Sequence, residues 1–310
     1  MLEVIEATTT GMPVFDIMVP THNRLDLTMR CLQAIYFCTK SPFHLIIVDD
    51  SNDNLTSLYF KELIGKGVTP LGASKNITFI HSDMPYKEGN QFFNIALRYC
   101  KSEYLATVMN SVRVEPDWET FAIQNLLAQN PDVGLIGLKN LFGGDTNDVG
   151  HIESAGIKMS KYLPTDVGRG APGHRLTGIA EMDAVQWAFA IVRKKAAIGN
   201  LEEGVFHGFK GWDDIDNCFC LKNKGWRILY CGFGAGYHEP RATRGDNSPL
   251  AEKQNLENGE RFYKRWGLWE LFQKDHPPGT DLHTMPKEIK SMQDMQERTA
   301  FQQNREEVSV

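Results

Sequence analysis

From Phe15 to Leu138 the chain alternates short β-rich runs with longer stretches of helical period, and this alternation constrains its fold most strongly. Strands are expected at Phe15–Val19, stopped by Pro20, and at His44–Val48, Ile77–Ile80, Tyr104–Met109 and Val133–Leu138. Between them, Leu25–Phe37 places Leu25, Met29, Leu32 and Ile35 at helical spacing. Leu55–Leu63 and Asn90–Tyr99 repeat the pattern, and Pro116 stands where a first helical residue opens a helix through Ala128. Strands alternating with helices predict βαβ units around a mostly parallel sheet, an α/β architecture. Phe92 and Phe93 read as core, and so does Phe142.

After Lys139 the pattern changes. Residues 140–180 are rich in Gly, Pro, Asp and Asn and predict irregular loops with short strands. Ala184–Val192 reads as a strand running into Arg193-Lys194-Lys195, the two lysines facing solvent. Asp214–Asn223 reads as a short helix closed by Gly225, Arg227–Cys231 as a strand, and Glu252–Phe272 as one long amphipathic helix. From Lys274 the chain is polar. The expected division is a domain over 12–245, in parts 12–139 and 140–245, followed by a C-terminal helix and polar tail over 246–310. No internal repeat or low-complexity tract interrupts it.

Composition narrows the function classes. With 42% hydrophobic and 23% charged residues, the 310-residue chain can bury a core and is not a disordered polymer. Thirty-three basic against 39 acidic residues leave a formal charge of −6, which argues against non-specific nucleic-acid binding, a local groove aside. No apolar run reaches the length of a membrane span, and Met1–Gly11 lacks the pattern of a secretory signal. Six cysteines scattered through apolar segments read as reduced thiols, and Cys218-Phe-Cys220 is too tight for a zinc knuckle, so a cytoplasmic location is expected.

In an open parallel sheet ligands collect where strands end. The predicted ends are polar: Val19-Pro-Thr-His-Asn-Arg24, Val48-Asp-Asp-Ser51 and Met109-Asn-Ser-Val-Arg113, with Glu88-Gly-Asn90 opening the third helix. Neither GxGxxG nor GxxxxGK[ST] occurs, so neither a dinucleotide site nor a P-loop is indicated.

This combination resembles glycosyltransferase family 2, nucleotide-sugar enzymes of GT-A fold, from about Phe15 to about Gly267. Val19–Arg24 and Val48–Ser51 resemble its first two motifs, and Asn94 stands where the family has an Asn. Ser154-Ala-Gly156, Gly168-Arg-Gly170 and Ala184–Arg193 resemble the bacterial rhamnosyltransferase-like branch. Gly211-Trp-Asp-Asp-Ile-Asp216, followed by Cys218 and Gly225, resembles the acidic motif, and His238 falls where many members carry a late His. The resemblance implies a nucleotide site of Pro20, Thr21, Asn23, Arg24, Asp49, Asp50, Asn90, Asn94 and Asn110. It implies a catalytic base at Asp214, with Asp213 as the alternative; Asp216 caps or orients. Ordinary capping acids are the competing reading of all three. His22 reads as structural or as facing the base.

One motif departs from the family. Where Asp-x-Asp is expected after the fourth strand, this chain has Asn110 and Ser111, neutral oxygen donors and not carboxylates. Three readings stay open: a divalent metal (Mn²⁺ or Mg²⁺) held through fewer ligands such as Ser111 and His238, a metal-independent enzyme, or a degenerate site. Arg241 and Arg244 are candidates to clamp a diphosphate, and Trp212 to wall an acceptor sugar. The function implied is inverting transfer of a sugar from a nucleotide-sugar donor to a hydroxyl on a glycan, lipid-linked or other acceptor. The alternatives are a silent GT-A module binding nucleotide or sugar, and a phage-type DNA-base glycosyltransferase.

Overall fold

The computed structural model describes residues 2–7, 12–66, 76–83, 86, 88–144, 147–208, 211–239 and 249–275. Arg241, Arg244 and the tail beyond 275 lie outside the described residues. The strands are β1 (Leu2–Ala7), β2 (Phe15–Thr21), β3 (Phe43–Asp49), β4 (Asn76–Ser82), β5 (Tyr104–Val108), β6 (Val112–Val114) and β7 (Val133–Phe142). They continue as β8 (Ile152–Ser154), β9 (Ile157–Ser160), β10 (Leu163–Asp166), β11 (Ile179–Glu181), β12 (Phe189–Arg193) and β13 (Arg227–His238). The helices are α1 (Leu25–Cys38), α2 (Leu55–Gly65), α3 (Gly89–Tyr99), α4 (Lys194–Ala197), α5 (Asp213–Asn223), α6 (Pro249–Arg265) and α7 (Trp269–Asp275).

One large sheet runs β1-β4-β3-β2-β5-β12-β7-β13-β11, with β6 on β13 and β8 on β7. β2 lies parallel to β3 and β5, and β3 lies parallel to β4. β12 enters antiparallel between β5 and β7, and β7 is parallel to β13. The architecture is mixed α/β, a central sheet between helical layers. β2 is buried along its whole length and β3 almost so, as a sheet covered on both faces requires. One face packs on α1, α2 and the 118–127 segment, through Leu32, Ile35, Phe60, Phe79 and Trp118. The other packs on α3, α5, α6 and α7, through Phe93, Trp187, Cys218, Phe262 and Phe272. No helix among the described residues is long and apolar enough to cross a membrane.

Several elements differ from expectation for local reasons. β2 continues through Pro20 to Thr21. Its pairing with β5 ends at Met18, so on that side Pro20 has no ladder bond to forgo. β1, which the sequence reading missed, adds an antiparallel edge to β4. Pro116 does not open a helix: the helical segment is Ala122–Leu127, wound as a π-helix with Ala128 N–H on Ile123 O at 2.9 Å. The predicted strand from Ala184 begins at Phe189, β7 runs on to Phe142, and β13 runs on to His238. Phe142 is half-buried beneath the Arg169 guanidinium, 4.9 Å from its ring. The single helix expected over 252–272 is two, broken where Gly267 takes a φ of 68°. All six cysteines are free thiols.

Of the two lysines expected to face solvent, Lys195 is exposed and Lys194 is half-buried, and Arg193 before them is buried. Arg193 is 3% exposed. Its guanidinium donates to Val133 O at 3.0 Å, Leu127 O at 2.6 Å and Asn130 O at 3.1 Å, and pairs with Glu103. It gathers carbonyls from the end of the π-helix, the following turn and the start of β7. Lys194 donates to Cys100 O at 2.8 Å, and only Lys195 is fully exposed. Arg193→Met removes the guanidinium's bonds to three carbonyls and leaves Glu103 without its partner, and it is expected to lower the unfolding free energy by about 3 kcal/mol. Arg227→Met, at an exposed ion pair, is expected to cost less than about 1 kcal/mol. Urea denaturation of both variants measures the difference.

Candidate active site

The ends of β2 and β3 form the first part of the site. Asp49 is wholly buried: it accepts Thr21 Oγ1 at 2.7 Å and Ser51 Oγ at 2.5 Å on one oxygen, and pairs with His81 Nδ1 at 2.7 Å on the other. Asn23 Oδ1 accepts the Asn52 and Asp53 amides at 3.1 and 3.2 Å, and Asn23 N–H reaches Ser51 Oγ at 2.6 Å. These side chains bind the two loops to each other. Asn23 and Arg24 hold left-handed φ values of 52° and 50°, unusual without glycine and a mark of a conformation fixed by its surroundings. Arg24 pairs with Asp26 at 3.0 Å at the surface.

Asp50 reaches beyond the sheet. It accepts the Tyr86 amide at 2.8 Å and pairs with His22 Nδ1 at 2.9 Å. Burial pushes its carboxyl above the ordinary 3.8, while Tyr86 N–H and His22 pull it back down.

The second part is built by the N-termini of α3 and α5. Gly89, the first residue of α3, lies against Asp213: a Cβ there would overlap the Asp213 carboxylate. Asp214 accepts the Trp187 amide at 3.1 Å, so the approach to β12 fixes that carboxylate. Asn90 and Asn217 exchange amide bonds at 2.7 and 3.1 Å, and Asn90 also donates to Glu202 O. Asn94, one turn on, donates to Leu201 O and Glu203. Both asparagines hold the 201–203 loop and α5 to α3. Trp212, at a φ of 74°, is engaged with α6: its indole donates to Asn255 at 3.1 Å and its ring packs on Phe262 and Tyr263.

The third part joins the loop after β5 to the end of β13. His238 stands opposite Val112, and Glu239 N–H donates to Ser111 O at 2.9 Å, so Ser111 and His238 are brought together across β6 and β13. Glu153 holds His238 Nδ1 at 2.7 Å. Asn110 is buried and donates to Thr28 Oγ1 at 3.2 Å.

The three parts form one rim. Tyr86 N–H on Asp50 links the first to the segment leading into α3. Asp214 on Trp187, with Met109 N–H on Ala188 O at 2.9 Å, links the second to the third. Asn110 on Thr28 returns to α1. Asp50 and the Asp213–Asp214 pair therefore stand on the same end of the sheet. Among the described residues no three His, Cys, Asp or Glu side chains converge as metal ligands. His238 with Glu153, beside neutral Asn110 and Ser111, is not the carboxylate-rich set that a hard divalent cation prefers. Glu153 had no signal in the sequence, because its partner lies 85 residues away.

No family model matches the chain. A curated relative, Uncharacterized protein y4gI of Sinorhizobium fredii (strain NBRC 101917 / NGR234), is 25% identical over 287 residues, 88% of this chain. The chain spans 30% of that relative's length. Among solved structures, GalNAc-T7 with UDP, GalNAc and Mn²⁺ superposes with a TM-score of 0.65 at 13% identity, over 92% of this chain and 55% of that one. S. aureus TarS 1–349 superposes at 0.50 with 12% identity, over 86% of this chain and 75% of TarS. The fold is that of the GT-A-type glycosyltransferases.

The buried Asp50 carboxyl has a pH consequence with a defined sign. Its folded-state value is raised, so the unfolded chain ionises first as pH climbs past 3.8. Ionisation therefore weakens the fold, and the loss completes once pH exceeds the folded-state value. Asp50→Asn removes this term. Its melting temperature relative to the wild type is expected to rise as pH is raised from about 4 into the neutral range, with the two curves running parallel below. Thermal unfolding across that range checks it; a difference independent of pH would refute the assignment.

Proposed function

We propose that the chain is an inverting glycosyltransferase, resembling family 2 and its rhamnosyltransferase-like branch, that moves a sugar from a nucleotide-sugar donor to an acceptor hydroxyl. The observation that supports this reading is the GT-A-type fold, in which hydrogen bonds tie the Asp50 loop to the segment before α3 and Asp213, beside Asp214, lies against the first residue of α3. Asp50 and His22, with Thr21 and Arg24 beside them, border the base and ribose of the donor. His238, oriented by Glu153, borders the diphosphate with Ser111. Asp214 is the base, and the acceptor is a glycan, a lipid-linked sugar or another hydroxyl compound.

The chemistry follows from those positions. The acceptor O–H gives its proton to Asp214 as its oxygen bonds to the anomeric carbon, and the bond from that carbon to the phosphate oxygen breaks with inversion. The electron pair departs with the nucleoside diphosphate. Trp187 N–H holds the Asp214 carboxylate in place before substrate arrives, so its orientation costs nothing at the moment of reaction. GalNAc-T7 was crystallised with Mn²⁺, but the donor set described here does not build a carboxylate site, and no step is assigned to a metal.

The test pairs binding with turnover. A panel of UDP-, dTDP- and GDP-sugars, each with and without Mn²⁺, is expected to yield one donor that raises the melting temperature and is slowly hydrolysed. Asp214→Asn is expected to lower transfer by about 10²–10⁴-fold while leaving that thermal shift intact, because a base acts in the transition state. Normal transfer by this variant would remove Asp214 from the role. Donor binding without turnover in the wild type would instead indicate a silent binding module.

A further inference from the structure

Away from the rim, near the opposite end of the same strands, four polar side chains line up across one face of the sheet. Asp16 is on β2 and His44 stands opposite it on β3; Thr78 is on β4 and Glu6 stands opposite it on β1. His44 Nδ1 meets Asp16 Oδ1 at 2.6 Å, His44 Nε2 meets Thr78 Oγ1 at 2.9 Å, and Thr78 Oγ1 meets Glu6 Oε1 at 2.8 Å. Asp16, His44 and Thr78 are wholly buried, and Glu6 reaches them from an exposed position on the edge strand. Asp16 also accepts the Lys101 and Ser102 amides at 3.0 and 2.8 Å, from the loop that follows α3.

A count of hydrogens constrains this row. Each of the three contacts between its side chains needs one. A neutral imidazole brings one, a threonine hydroxyl brings one, and ionised carboxylates bring none. The row therefore closes only with one proton more than those groups supply. Asp16 already accepts two amides, and Glu6 stands beside water, so the ring is where the extra proton belongs. Nδ1–H then donates to Asp16, Nε2–H donates to Thr78, and the Thr78 hydroxyl donates to Glu6. A buried cation persists where it is paired and bonded, and this ring is bonded at both nitrogens. The other charged groups lie one step away. The Cys100 thiol at the end of α3 faces Asp16, and the Lys194 ammonium of α4 donates to Cys100 O at 2.8 Å. Glu3, on the opposite face of β1, is held by Lys61 of α2 at 2.8 Å.

We propose that this row is a proton-loaded latch: the charge on Glu6 keeps His44 doubly protonated, and the protonated ring, acting through Thr78, holds β1 on the sheet. β1 depends on such a tie more than an inner strand does. It is the edge of the sheet, Leu2 and Val4 are 45% and 39% exposed, and its Ile5 and Ala7 pack on the core only in part. Loss of the proton leaves one contact of the row with no hydrogen, so two lone pairs face each other there. The latched chain holds a proton that the parted one does not need, and a rise in pH therefore favours parting. Once β1 parts, β4 becomes an unpaired edge, open to pairing with another strand. The latch stands apart from the rim and does not depend on the glycosyltransferase reading.

The experiment uses the full chain with ¹⁵N-labelled histidine and follows the His44 ring by NMR along a rising pH series, beside amide exchange of the β1–β4 ladder. The wild type is expected to show two ring N–H protons on His44 at the low end of the series. The second disappears as pH rises, and in the same step the protection of the β1 ladder, corrected for intrinsic exchange, falls by about 10-fold while that of β3 holds. Glu6→Gln separates the latch from a plain Asp16–His44 pair. Its amide can donate to Thr78 Oγ1, Thr78 then donates to Nε2, and Nδ1–H donates to Asp16, so all contacts close with no extra proton. This variant is expected to show one ring N–H at the pH where the wild type shows two, and a β1 protection that no longer follows that step. One ring N–H in the wild type wherever it is folded, two in Glu6→Gln, or β1 protection indifferent to loss of the proton would each overturn the latch. The wild-type series decides alone if the variant does not fold.

Discussion

The parallel register of β2, β3, β4 and β5 brings four strand ends to one edge of the sheet, and everything at the rim follows from that. A parallel strand cannot turn back on itself; it must leave through a loop whose peptide groups lose their ladder partners. Here the loops satisfy one another. Asn23 Oδ1 takes two amides of the loop after β3, and Ser51 takes the amide of Asn23. Asp49, the carboxylate nearest the sheet, is consumed by Thr21, Ser51 and His81. The next carboxylate, Asp50, reaches across to Tyr86 and begins the link to the opposite helices. Two consecutive carboxylates thus divide their work, one holding the scaffold and the next reaching beyond it.

The two C-terminal helices extend this logic to the far side of the sheet. Tyr263, Phe272 and Trp269 stack in sequence, and Phe262 touches Trp212, Phe219 and Tyr263. This aromatic layer covers the outer face of α5, and Phe262, Tyr263 and Phe272 belong to the same core as Trp187 and Cys218. α6 and α7 therefore act on the site at one remove: they fix the helix whose first turn carries Asp213 and Asp214. Trp212 carries the coupling, since its left-handed backbone ends the preceding loop while its indole is bonded to Asn255.

What could be read from the sequence was what is periodic or local. The short, largely apolar runs at 45–48 and 104–108 and the helical spacing of Leu32, Ile35, Phe93 and Leu97 marked strands and helices, because burial imposes those periods on the chain itself. The polar residues at strand ends were legible for the same reason. Partners distant along the chain were not: Glu153 with His238, Asp166 with Gln186, and Arg193 with the carbonyls of 127–133 are encounters that only the fold creates. Nothing in the sequence marked Arg193 as buried, yet its guanidinium is drawn inside by the carbonyls of Leu127, Asn130 and Val133. β1 carried a pattern too short to stand out, and Pro20 was given too much weight, since a proline ends a strand only where a ladder bond is needed.

The first turn of α5 shows how these long-range contacts place the carboxylate proposed as the base. Three carboxylates in four residues repel one another, and a helix N-terminus offsets part of that cost by its dipole. The remainder is met by giving each acid a different neighbour. Asp213 lies against the first residue of α3. Asp216, nearly sealed, accepts the Trp266 indole at 2.7 Å and pairs with Arg265 at 3.1 Å, at and just beyond the end of α6. Asp214, between them, takes the amide that leads into β12. Three elements from separate parts of the chain thus converge on one turn. Burial raises the Asp216 carboxyl while Trp266 and Arg265 pull it down, so the charge most removed from water is also the one tied to a guanidinium. The position of Asp214 is therefore a property of the whole assembly: its carboxylate accepts the Trp187 amide, and the acids on either side of it are set against α3 and the C-terminal segment.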